Sequence, residues 1–135
     1  MIAEVSRDGQ RAQRIGGRVY TVEHTVHEGD TARRYDDRLP AVAASPFVLA
    51  LAEMACLAGV RSLMGDEYIT VGVRSVFEHL RATPVEVTLS AQARVVRRRS
   101  RKWYFKVAVV DEGGSVVATV SHLRVAVKAA SHGEG

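Results

Sequence analysis

The chain has 135 residues, 47% of them apolar, with a formal net charge of +4 and a pI near 9.6. That length fits one domain with a proper core and argues against a second. The lone cysteine, Cys56, excludes an intrachain disulfide and a cysteine-built zinc site and reads as a core thiol.

The first ten residues, MIAEVSRDGQ, lack the apolar segment of a signal peptide, and no run of about 18 uncharged apolar residues is available to span a bilayer. A cytoplasmic protein with no membrane partner is the expectation. The basic balance suits an anionic partner, either a nucleic acid or a phosphate-bearing small molecule. Nucleic acid is disfavoured, because no recognised motif is present and Trp103, Tyr104 and Phe105 lie in a strand pattern where core packing explains them.

Residues 1–17 are polar, contain Gly9, Gly16 and Gly17, and read as a mobile lead-in. Arg18 to Val26 alternates with β-branched and aromatic residues and is expected to be a first strand. A polar stretch from His27 to Arg38 and the pair Leu39-Pro40 lead into AVAASPFVLALAEMACLAGV, residues 41–60, whose one charged residue is Glu53. This segment is read as too short and too interrupted for a membrane helix. Ser45-Pro46 supplies an N-cap and a first-turn proline, so a helix should begin there and run to about Leu63 or Met64. Apolar nearly all round, it should be buried on most sides.

Strands follow. Tyr68 to Leu80 is strand-like; Val85, Val87, Leu89, Ala91, Ala93 and Val95 alternate with polar residues; Lys102 to Val110 alternates again. Asp111-Glu112-Gly113-Gly114 reads as a hairpin turn, Ser115 to Val127 closes the set, and residues 129–135 form a frayed tail. The domain therefore spans residues 18–128, in the order β-α-β-β-β-β. The fold class is α+β, an antiparallel sheet of about five strands wrapped around one central buried helix. One helix cannot both cover the sheet and be shielded itself, so a homodimer is expected.

Glu53 carries the strongest chemical signal, since a carboxylate inside a buried helix needs a hydrogen-bonding partner, a raised pKa or access to a pocket. A Glu on a helix face that is simply exposed, or paired for stability, is the plainer reading. His79 shares strand parity with Ile69, Val71, Val73 and Phe77, so without a bulge it points to the apolar side. Alone it would be a satisfied core histidine; with a buried Glu, the two could position or deprotonate a nucleophile. Ser45 reads as the helix N-cap, beside amides that could stabilise an oxyanion. Eight residues separate Ser45 from Glu53, about 12 Å of helix, so a compact site would draw on two subunits. The basic run Arg97, Arg98, Arg99 and Arg101 reads as a solvated hairpin tip, or alternatively as a cradle for CoA phosphates. His24, His27, His122 and His132 are weaker candidates without metal-ligand spacing, and neither a metal nor a cofactor is expected.

The segment Val42-Ala-Ala-Ser45-Pro-Phe47-Val-Leu-Ala-Leu51-Ala-Glu53-Met-Ala55-Cys56 resembles the helix start of the fluoroacetyl-CoA thioesterase-like family of hot-dog proteins. A histidine follows 26 residues after the glutamate, then Thr83-Pro84, and Gly72 stands seven residues before that histidine. The resemblance spans roughly Leu39 to Val127. It implies a hot-dog fold, hydrolysis of an acyl-CoA or acyl-carrier-protein thioester, and Ser45, Glu53 and His79 in the positions of the family's catalytic Thr, Glu and His. It further implies that Gly72 lies beside the acyl group, with Leu39, Phe47 and Arg124 as further substrate-binding residues. Ser45 replaces the family threonine and keeps its hydroxyl; Leu39 stands where the fluoroacetyl-specific enzyme has a gating phenylalanine, which points to another acyl group. Two competing readings are a hot-dog hydratase or dehydratase, whose Asp-and-His pattern is absent after Asp30, Asp36 or Asp37, and a non-catalytic acyl-CoA binding or sensing module.

Overall fold

The computed structural model describes residues 18–129; the expected lead-in at 1–17 and the tail from 130 onward lie outside the described residues. Five strands and one long helix follow in the anticipated order: β1 Tyr20–Thr25, α1 Ser45–Leu63, β2 Tyr68–His79, β3 Thr88–Arg99, β4 Lys102–Val110 and β5 Val116–Lys128. Two short 3-10 turns, Glu28–Asp30 and Ala32–Arg34, occupy the polar stretch before the helix. The strands form one antiparallel sheet in the order β1-β3-β4-β5-β2, which leaves β1 and β2 at the edges. Strand β3 starts three residues later than the alternation suggests because Glu86 takes φ 75°, a left-handed conformation that interrupts an extended run. Ala129, expected to begin the frayed tail, donates its amide to the Glu67 carbonyl at 2.8 Å.

Alternation places Leu89, Ala91, Ala93 and Val95 of β3, with Trp103, Phe105, Val107 and Val109 of β4, in one core with Val48, Leu51, Ala52, Ala55, Cys56 and Val60 of α1. Each large apolar side chain buried there contributes about 1.5–3 kcal/mol. Small residues set the helix-to-sheet distance: a Cβ on Gly59 would lie 2.7 Å from Cδ2 of Tyr20, so only glycine lets α1 settle against β1.

Three expectations need correction. Ser45 is not the N-cap. Ala44 is, with φ −74° and ψ 146°, because its amide is held by the Asp30 carbonyl and the preceding chain is still extended, so Ser45 and Pro46 become the first two helical residues. Nor is α1 too short to cross a membrane: its 19 residues would suffice by length and composition. Their apolar character is explained by packing on the sheet. Finally, α1 is buried on the sheet side only, while Ala50, Met54 and Ala58 form an exposed stripe at helical spacing.

Strand β2 also departs from simple alternation. Gly72 pairs with Arg124 and Arg74 with Leu123, so Val73 is an extra residue in a bulge. Past it the inward face switches parity. Thr70 is buried before the bulge and Ser75, Phe77 and His79 are half-buried after it, whereas Ile69, Val71 and Val73 are exposed. His79 does face the helix side, but it shares that face with Thr70 and not with Ile69, Val71 and Val73.

Candidate functional site

The end of β2 meets the start of α1. Ser45 Oγ lies 2.7 Å from Nδ1 of His79, and the ring packs at a tilt against Phe77, with centroids 5.7 Å apart. Released from capping, the Ser45 hydroxyl is available to this imidazole. Nε2 of His79 is buried and finds no partner among the described residues, which is costly for a purely structural histidine. Inside the helix, the Ser45 and Phe47 amides have no carbonyl four residues back, and Pro46 has no N–H at all. A hydroxyl, an imidazole and free helix-start amides can together orient a nucleophile and hold a developing oxyanion.

A second cluster lies further along α1. Glu53 is half-exposed, its side chain 38% accessible, so the expectation of a carboxylate buried within the helix is not met in the single chain. Its neighbour is Arg124 of β5, with Nη1 4.0 Å from Oε1 of Glu53. The guanidinium is buried and otherwise well satisfied: Nε donates to Thr70 Oγ1 at 2.8 Å, Nη2 to the Thr70 carbonyl at 3.0 Å and Nη1 to Nε2 of His122 at 3.0 Å. Gly72 makes room for this group, since a Cβ there would lie 2.9 Å from Cε1 of His122 and 3.3 Å from Nη1 of Arg124. Beside it a cavity of about 520 Å³ is lined by Leu57, Val60, Met64, Ile69, Thr70 and Arg124 among others.

The predicted residues thus fall into two groups, Ser45 with His79 and Glu53 with Gly72 and Arg124. Phe47 stands by the first: it packs edge-on against His24 at 5.1 Å and lines a groove of about 280 Å³ with Asp30, Arg34 and Tyr35. Leu39 is exposed in the preceding loop and is not among the residues lining that groove. Cys56 is buried beside the second group, and desolvation pushes its thiol up to about 12, so it is inert at neutral pH. Arg97 and Arg98 belong to β3 and cover aromatic rings, 5.3 Å from the Tyr104 centroid and 4.3 Å from that of Trp103. Two of the four basic residues therefore have packing roles of their own. Among the described residues no set of three His, Cys, Asp or Glu is placed to hold a metal.

Thr70 and Ser75 were not singled out by sequence reasoning, and His122 was named only among the weaker histidine candidates, with no role attached. The signal for His122 was there: Ala118, Val120, His122, Arg124 and Ala126 alternate on the buried face of β5, which puts two polar residues in line with the core.

A family model described as FlK, fluoroacetyl-CoA-specific thioesterase, matches residues 26–130. The chain belongs to this family. Solved structures agree on the hot-dog fold of this FlK-family chain. A phenylalanine-to-alanine mutant of the fluoroacetyl-CoA-specific thioesterase FlK, in complex with fluoroacetate and CoA, is 20% identical with a TM-score of 0.74, covering 82% of this chain and 93% of that one. A Thermus thermophilus thioesterase superfamily member is 16% identical with a TM-score of 0.77, covering 82% of each chain. A hot-dog-like protein from Thermanaerovibrio acidaminovorans is 19% identical with a TM-score of 0.74, again covering 82% of each. No curated protein matches the chain.

Proposed function

We propose that this FlK-family thioesterase hydrolyses small or medium acyl-CoA thioesters as a cytoplasmic homodimer, using Ser45, Glu53 and His79. The observation that carries the reading is the Ser45–His79 hydrogen bond at the open start of α1. There a thioester carbonyl can approach helix-start amides while imidazole and hydroxyl orient the attacking group. Attack on the carbonyl carbon breaks the C–S bond and yields a carboxylate and the CoA thiol. Glu53 supplies the carboxylate that activates water. It lies about 12 Å along the helix from Ser45, so a compact site combines groups of two subunits.

Dimerisation is supported by β2. This edge strand carries exposed Ile69, Val71, Val73 and Val76, with exposed Leu80 just past its end, and a long apolar edge with unpaired backbone groups invites a second copy. CoA is preferred to a carrier protein as the presenter because the related FlK mutant holds fluoroacetate and CoA. Leu39 in place of a gating phenylalanine favours an acyl group other than fluoroacetyl.

Free-thiol release from acetyl-, fluoroacetyl-, butyryl- and octanoyl-CoA, and from the matching acyl-carrier proteins, tests the reading. Turnover of at least one acyl-CoA supports it. Tight binding without thiol release would instead identify a binding or sensing module.

A further inference from the structure

His122 sits at the centre of a hydrogen-bonded relay for which the reading above has no use. A guanidinium only donates, so Nε2 of His122, 3.0 Å from Nη1 of Arg124, must accept and cannot carry a proton. The ring proton is therefore on Nδ1, which faces the Ser75 hydroxyl at 2.6 Å and the Arg74 carbonyl at 3.1 Å. A second proton would have to enter at Nε2, against a donor and a fixed positive charge. The β2 bulge builds this arrangement: the extra Val73 brings Ser75 opposite His122 while Gly72 stays opposite Arg124, its missing Cβ leaving space for both side chains.

We propose that His122 is a positioning residue, a neutral acceptor that pins the Arg124 guanidinium against Thr70 and so holds its charge beside Glu53. The surroundings are consistent on every side. Helix α1 presents Glu53 and the buried Cys56 thiol, β5 presents Arg124, β2 presents the Ser75 hydroxyl and the Arg74 carbonyl, and β4 places Phe105 opposite. Burial holds the imidazole below its ordinary range and Arg124 adds to this, while the Glu53 charge works the other way. The inference rests on Glu53 being the acting carboxylate.

The experiment compares wild type, His122→Gln and His122→Leu, each with and without Glu53→Gln, on the best-hydrolysed acyl-CoA of the panel, and reads the wild-type ring nitrogens by 15N NMR at pH 7. Gln keeps an acceptor for Arg124 and should retain kcat within about 5-fold; Leu removes it and should lower kcat about 10-fold or more with KM changed less than about 3-fold. In the Glu53→Gln background the Leu substitution should cost little more. NMR should show Nδ1 protonated and Nε2 bare. Should His122→Leu not fold, the tautomer and the Gln variant decide. A proton on Nε2, wild-type kcat in folded His122→Leu, or a loss in His122→Gln as large as in His122→Leu overturns the proposal. Normal hydrolysis by Glu53→Gln alone overturns instead the role given to Glu53, with the tautomer result unaffected.

Discussion

Ser45 Oγ and His79 Nδ1, 2.7 Å apart, join the first residue of the helix to the last residue of β2 across 34 positions of sequence. Because Ala44 is the cap, the serine hydroxyl is not committed to the helix. Ser45→Ala should therefore leave the melting temperature nearly unchanged, where loss of a true cap would cost about 1 kcal/mol. Turnover should fall about 10-fold or more, and Ser45→Thr should restore it. A clear drop in melting temperature with normal turnover would return Ser45 to a structural role.

Glu53→Gln keeps size and hydrogen-bonding capacity but removes charge, and His79→Ala removes the proton-handling ring. Each should lower turnover by roughly 10²-fold. Since the Glu53 side chain is 38% accessible and 4.0 Å from its cation, neutralising it should change stability little. Thiol release and thermal unfolding of the same variant separate the two effects.

The apolar edge of β2 should be the dimer contact. Val71 and Val76 are 43% and 55% exposed, so Val71→Lys with Val76→Lys should yield a folded monomer with little activity. Light scattering at micromolar concentration reads the mass; a monomeric wild type would remove the basis for a shared site.

Gly72→Ala should be severe for one methyl group. The new Cβ would lie 2.9 Å from Cε1 of His122, a ring held by Ser75 and Arg124 and thus unable to give way. A cost of about 1–3 kcal/mol, read by urea unfolding, is expected from such overpacking, together with lower turnover.

Stability should also depend on pH through His122, whose pKa is lowered first by burial. An unfolded chain takes up a proton near the ordinary histidine value of about 6.5, which the folded site refuses. This contribution is therefore complete above that value, declines as the pH drops below it, and levels off beneath the lower folded value. Urea unfolding between pH 8 and pH 5 should show the decline in wild type, and a shallower one in His122→Gln.

Much was legible in the chain alone. Period-2 alternation marked β3 and β4 as strands, Ser45-Pro46 marked the helix start to within one residue, and the spacing of Ser45, Glu53 and His79 pointed to the family. These are local signals, carried by neighbours a few positions apart. What only the tertiary structure decided is non-local: the Val73 bulge that reverses the parity of β2, the freeing of Ser45 from capping because the Asp30 carbonyl holds Ala44, and the meeting of Glu53, Gly72, His122 and Arg124 from three elements. Register and caps depend on which distant backbone groups find each other. No pattern within one strand or one helix turn encodes that pairing.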